Sequence, residues 1–179
     1  ALVKGSFSDE IHIAVEDNRA TIKTKHGRFQ VPGLDIIDYP TVPDFKAEGA
    51  IFIHGDDFVE AVQKTVFATA TGDTRYALNG IYINIAENTA EFVASDTHRL
   101  SLIKKKIRNP DQVAADGIML TKGMTTLSRL AAGNDVVEIA VTANEMLART
   151  PNATVVSRRV EGMFPRYHDV IPPKSDSCF

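Results

Sequence analysis

One pattern in this sequence occurs twice, and it limits the fold more than any single motif does. Ile13-Ala14-Val15 with Asn18 three residues on is matched by Ile139-Ala140-Val141 with Asn144, and Thr24 by Thr150, all at an offset of 126 residues. Further on, Tyr39-Pro40 corresponds to Phe164-Pro165 at an offset of 125, and Val42-Pro43 to Ile171-Pro172 at 129. Both copies have the order strand, turn, strand, turn, strand, proline. The first 48 residues are then the tail of one repeat and the remainder is one whole repeat. If the matches are instead chance in β-rich sequence, the two stretches will trace no common path.

Within the first copy, Ile11-x-Ile13-x-Val15, Ala20-x-Ile22 and Phe29-x-Val31 have the period of half-buried strands. Asp17-Asn18 and His26-Gly27 supply the turns. Pro40 and Pro43 fix an extended connection, since each lacks a donor and biases its predecessor away from helix. A domain boundary is expected between Pro43 and Gly49.

Ile51-Phe52-Ile53 reads as a short strand, and Gly55-Asp56-Asp57 as the cap of a helix running to about Ala70. Phe58, Val59, Val62, Thr65, Val66 and Thr69 share one face of that helix, while Asp57, Glu60 and Lys64 lie opposite. Ile81, Ile83 and Ile85 then alternate with Tyr82 and Asn84, Glu87-Asn88 supplies a turn, and Glu91 to Ala94 returns. Antiparallel pairing around that turn carries Arg75-Tyr76-Ala77-Leu78 back beside Ser95 to Leu100. The run Lys104-Lys105-Lys106 with Arg108 reads as a solvated strand end, broken by Asn109-Pro110.

Gly117 to Leu120 is a further strand, and Lys122 to about Ala132 a second helix closed by Gly133. Met124, Leu127, Leu130 and Ala131 form its apolar face; Lys122, Thr125, Thr126 and Arg129 form a narrow basic stripe on the other. A strand meander follows, with turns at Ala143-Asn144 and Pro151-Asn152.

Composition narrows the function classes. Hydrophobic content of 44% and charged content of 24% are those of a soluble globular protein, and no apolar run approaches the roughly 20 residues of a membrane span. The single Cys178 permits no intrachain disulfide, which points to a reducing, cytoplasmic setting. A net charge of −3 argues against an indiscriminate nucleic-acid binder but allows one basic face. The histidines at 12, 26, 54, 98 and 168 have no metal-site spacing, and there is no phosphate loop or nucleophile elbow.

Three motifs in order, Thr74-Arg-Tyr-Ala-Leu-Asn-Gly80, Ala94-Ser-Asp-Thr-His-Arg-Leu100 and Val160-Glu-Gly-Met-Phe-Pro-Arg-Tyr-His-Asp-Val-Ile-Pro172, resemble the bacterial DNA sliding clamp family, the beta subunit of the replicative DNA polymerase. The resemblance implies an α+β, DNA-clamp fold of antiparallel sheets with two helices per domain. Residues 1–48 would be the C-terminal part of a first clamp domain, 49–172 a complete middle domain, and 173–179 the start of a linker to a missing third domain. It also implies a non-catalytic processivity subunit without cofactor or metal. A homo-oligomeric ring would encircle duplex DNA without reading sequence, and polymerase, clamp loader and repair proteins would be tethered through short linear motifs.

The family pocket that captures such motifs is lined by residues matching Leu78, Ser95, Thr97, His98, Arg99, Leu100 and Pro172, with Arg75 on the same rim and Val170 in the adjoining floor segment. Thr97 departs from the glycine common at its position, so the mouth is expected to be tighter here, and Ser95 replaces a usual threonine. Arg75 and Arg99 have a second reading, as hairpin-edge arginines paired with Asp73 or Asp96. Lys122 matches a basic position on a DNA-facing helix; Arg129 extends it along the helical wheel, and Lys64 completes the DNA-facing set. The plainer reading of these is the wet side of an amphipathic helix. Tyr167 and His168, in a proline-bounded turn, are expected to pack. Two rivals stay open: a free-standing peptide-binding module that never encircles DNA, and a small hydrolase using His98, which requires a nucleophile within about 3 Å of that ring.

Overall fold

A computed structural model describes residues 10–39, 44–45, 49–72 and 76–172. The chain forms two compact units, Ala1–Val42 and Pro43–Phe179. In the first, β1 (His12–Glu16), β2 (Arg19–Thr24) and β3 (Gly27–Pro32) make an antiparallel sheet in that order. Asp17 and Asn18 both take positive φ, 46° and 58°, the backbone a two-residue hairpin needs to match strand twist.

The second unit is an eight-stranded sheet in which every paired neighbour is antiparallel. Its strands are β4 (Ile51–Ile53), β5 (Gly80–Ala86), β6 (Thr89–Ser95), β7 (Leu100–Lys106), β8 (Ala115–Leu120), β9 (Val137–Val141), β10 (Glu145–Thr150) and β11 (Ala153–Val160). Their order across the sheet is β4-β9-β10-β11-β8-β5-β6-β7. Two helices, α1 (Gly55–Val66) and α2 (Thr121–Ala131), pack on one face. The core between the layers holds Ile51, Ile53, Ile81, Ile83, Ile85, Phe92, Met119 and Ile139 from the sheet against Phe58, Val62, Met124 and Leu127 from the helices. Phe58 and Phe92 meet edge-on with centroids 5.8 Å apart, a preferred aromatic arrangement. The α1 start lies against the α2 end: Gly55 N–H donates to Asn134 O at 3.1 Å, and a Cβ on Gly55 would stand 2.4 Å from Ala131 O.

The repeat is a structural one over its three strands; the matches at Pro40, Val42 and Pro43 lie outside the described residues. The pairs Ile13↔Ile22 and Val15↔Ala20 recur as Ile139↔Ala148 and Val141↔Met146; Arg19↔Pro32 and Thr24↔Gly27 recur as Glu145↔Arg158 and Thr150↔Ala153. Even the closing bond returns, Gly33 N–H to Asn18 O as Arg159 N–H to Asn144 O. The surroundings differ: the second meander is paired on both sides within the larger sheet, and Ile139 is buried beneath the helices.

Four local expectations change. α1 stops at Val66 rather than Ala70, because Ala68 N–H and Thr69 N–H bond back to Thr65 O and Val66 O and tighten the chain into a final turn. Its N-cap is His54, whose Nδ1 accepts from Asp56 N–H at 3.3 Å, not the glycine and aspartates that follow. On α2, Ser128 is buried and Leu130 is 37% exposed, so the apolar face is rotated slightly from the expected one. The lysine run is solvated only in part: Lys104 and Lys106 are exposed at the end of β7, and Lys105 is not. β7 pairs with β6 along its length, which sends Lys104 and Lys105 to opposite faces. Lys104 reaches Glu91 at 2.6 Å, and Lys105 reaches Asp57 at 2.8 Å as well as Glu60. Among the described residues no helix is long and apolar enough to cross a membrane.

Candidate functional site

The β5–β6 hairpin places its open end beside a tight loop, Ser95–Arg99, that one carboxylate organises. Asp96 Oδ1 accepts the backbone N–H groups of His98 and Arg99 at 3.0 Å each, and its Oδ2 accepts Arg99 Nε at 2.9 Å. Ser95 Oγ donates to Arg99 O at 2.8 Å and accepts Thr97 N–H at 3.2 Å. Partial burial pushes the Asp96 pKa up, but the His98 N–H and the Arg99 side chain outweigh it and hold the carboxyl below its ordinary value. Thr97 at the loop tip has φ 77°, a left-handed conformation that is costly for a β-branched residue.

A second wall comes from the chain after β11. Phe164 stacks on Tyr82 with centroids 5.0 Å apart and planes 12° off parallel, and Tyr167 tilts against the same ring at 5.9 Å. The Tyr167 hydroxyl donates to the Glu91 carboxylate. Tyr82 donates to Asp116 Oδ2 at 3.1 Å; burial, then the Asp116 charge, push its pKa up to about 12. A short 3-10 turn, Tyr167–Val170, follows.

Between loop and wall lies a cavity of about 350 Å³. Leu78, Ser95, Thr97, His98, Arg99, Leu100 and Val170 line it together. Leu78 is 2% exposed and Val170, at the edge, 68%. Arg75 lies outside the described residues. Pro172 is not in the lining; the wall is formed earlier in the chain, by Phe164, Pro165, Arg166 and Tyr167, because the two aromatic anchors hold that part down. The signal for these four residues was present in the Phe164-Pro-Arg-Tyr run, but their anchors on Tyr82 and Glu91 are far away in sequence. Arg99 pairs with Asp96, lines the cavity, and sets its guanidinium 5.7 Å from the Phe67 ring, within cation–π range. The His98 ring makes no hydrogen bond among the described residues, so the nucleophile the hydrolase reading requires is not in place there.

The proposed DNA-facing residues divide. Lys122 and Arg129 are exposed on α2 with no acid partner among the described residues. Lys64, on α1, is paired with Glu60 at 2.5 Å.

The family model for the DNA polymerase III beta subunit, central domain, matches residues 52–166, which include the cavity's hairpin, loop and most of its wall. The chain belongs to that family. It is 30% identical over 167 residues to the beta sliding clamp of Bacillus subtilis, covering 92% of this chain and 44% of that relative. The crystal structure of the Bacillus subtilis DNA polymerase sliding clamp superposes with a TM-score of 0.87 at 29% identity, covering 97% of this chain and 46% of that one. A Pseudomonas aeruginosa sliding clamp solved bound to griselimycin is 32% identical with a TM-score of 0.81, over 93% and 45% of the two chains. The fold is thus the α+β clamp fold, and the chain spans less than half the length of these relatives.

Proposed function

We propose that the chain is part of a non-catalytic processivity factor of bacterial DNA replication, acting in the cytoplasm. In the longer parent protein, a homo-oligomeric ring of such domains encircles duplex DNA, and the Leu78 cavity holds short linear motifs of polymerase, clamp loader and repair proteins. Residues 1–48 are then the end of a first clamp domain, 49–172 the middle domain and 173–179 a linker toward a third. The observation that carries this reading is the cavity itself: an apolar floor at Leu78 and Leu100 beneath a polar loop, at the edge of a domain whose family is that of the clamp. A free-standing module is less well supported, because a lone peptide binder has no need of the second, identically registered meander.

The pocket is tested by titrating a fluorescein-labelled peptide bearing a leucine and a phenylalanine against the chain. Burying one such anchor contributes roughly 1.5–3 kcal/mol, and two of them less ordering entropy give an affinity on the order of micromolar. Leu78→Asp puts a carboxylate on the apolar floor and abolishes binding. Arg99→Ala weakens it less, since exposed pairs are worth about 0–1 kcal/mol. Circular dichroism establishes that both variants are folded. Parent-like affinity in Leu78→Asp would remove the pocket from the proposal.

A further inference from the structure

The wall segment from Phe164 to Val170 makes no backbone hydrogen bond to the sheet among the described residues. Its position rests on side chains, and its one buried polar anchor is Tyr167, 6% exposed, donating to Glu91. Glu91 is itself 9% exposed and lies outside the cavity lining. It stands in a cross-strand row on the sheet face away from the helices, opposite Asn84 on β5 and Lys104 on β7. Lys104 pairs with it at 2.6 Å, and His168 Nε2 lies 3.8 Å away. Its Oε1 takes the lysine, while its Oε2 accepts from Tyr167, the residue that anchors the pocket wall.

Building on the pocket reading above, we propose that Glu91 is a positioning residue for peptide capture: through the Tyr167 hydroxyl it fixes the Phe164–Val170 wall in its binding-competent place, so that apolar anchors meet a preformed cavity. Loss of the bond frees the wall to sample other positions, and apparent affinity falls by the fraction of time the wall is in place.

The test uses the whole chain and the same labelled peptide. Tyr167→Phe keeps the ring and removes only the donor; Glu91→Ala removes the acceptor; Glu91→Gln keeps an acceptor for the phenol. Tyr167→Phe and Glu91→Ala each weaken binding about five- to tenfold, the typical net worth of one hydrogen bond. The double variant is no weaker than the worse single one, and Glu91→Gln stays within about twofold of the parent. Alkaline ultraviolet titration supplies an independent signature: burial and the Glu91 bond push the Tyr167 pKa up, and Glu91→Ala lowers it. Parent-like binding by both single variants, or strictly additive losses in the double, would overturn the positioning role. If the parent itself binds no peptide, or Leu78→Asp binds as the parent does, it is the pocket reading that fails.

Discussion

Thr97 carries a conformation its side chain disfavours. At φ 77° the left-handed region costs a residue with a Cβ roughly 1–2 kcal/mol, and a β-branched side chain has least room there. The loop tolerates this because Ser95 Oγ accepts the Thr97 N–H and Asp96 gathers the next two N–H groups, so the backbone path is set by its neighbours. Thr97→Gly is therefore expected to stabilise the chain by about 0.5–1 kcal/mol, after allowing for the greater freedom of glycine in the unfolded state. That is a rise of roughly 1–4 °C in the thermal midpoint for a chain of this size. A lower midpoint would mean that the threonine side chain makes contacts worth more than the strain. Asn109 is the opposite case. Buried at 1% exposure, its Nδ2 donates to Glu87 O and Val113 O and its Oδ1 accepts Val113 N–H, tying the β7–β8 connection to the β5–β6 turn. Asn109→Ala should cost about 2–3 kcal/mol by leaving those groups unpaired, measurable as a drop in the urea midpoint with little change in slope.

At the scale of elements, the pairing of α1 with β7 contributes to the acid limb of stability. The Lys105 side chain, 13% exposed, lies between Asp57 and Glu60, and its hydrogen bond, joined by Lys64, lowers the Glu60 pKa from 4.5 to about 2. A carboxyl whose folded pKa is depressed stabilises the fold above its unfolded pKa, and that contribution is lost as pH falls through the folded value. The thermal midpoint should thus decline between about pH 4.5 and pH 2, and Lys105→Met should flatten the decline. A variant that loses stability as steeply as its parent over that window would place the acid sensitivity in other carboxylates. This pairing was hidden in the sequence, since a run of three lysines reads as solvated until alternation along a paired strand assigns each to a face. What was legible followed a local period: the Ile81–Ile83–Ile85 face, the hairpin turn and the core sides of both helices. What was not legible depended on distance or on competing geometry. Glu91 and Tyr167 are 76 residues apart, and the α1 stop at Val66 is invisible to periodicity because one 3-10 turn continues the same apolar side. The cavity's loop residues were legible from their motif, while its second wall depends on those remote anchors.

Across the whole molecule, the repeated meander gives one strand path and one register twice, at Ile13 and at Ile139. Under the proposed ring, encirclement asks little of any one contact with DNA. Charge makes that quantitative. The chain carries a formal net charge of −3, and of the three basic residues expected to face DNA, Lys64 is already neutralised by Glu60. Lys122 and Arg129 remain, so the counterion rule gives a slope of log K against log salt of about −2 for this chain on duplex DNA. Lys122→Ala should reduce that slope by about one, and Lys64→Ala should leave it nearly unchanged. Affinity at physiological salt should be weaker than micromolar, because two phosphate contacts cannot offset the cost of association. Fluorescence anisotropy of a labelled duplex across a salt series measures both quantities. A slope of about −5 or steeper, or sub-micromolar binding at physiological salt, would mean that direct grip rather than topology holds the protein on DNA.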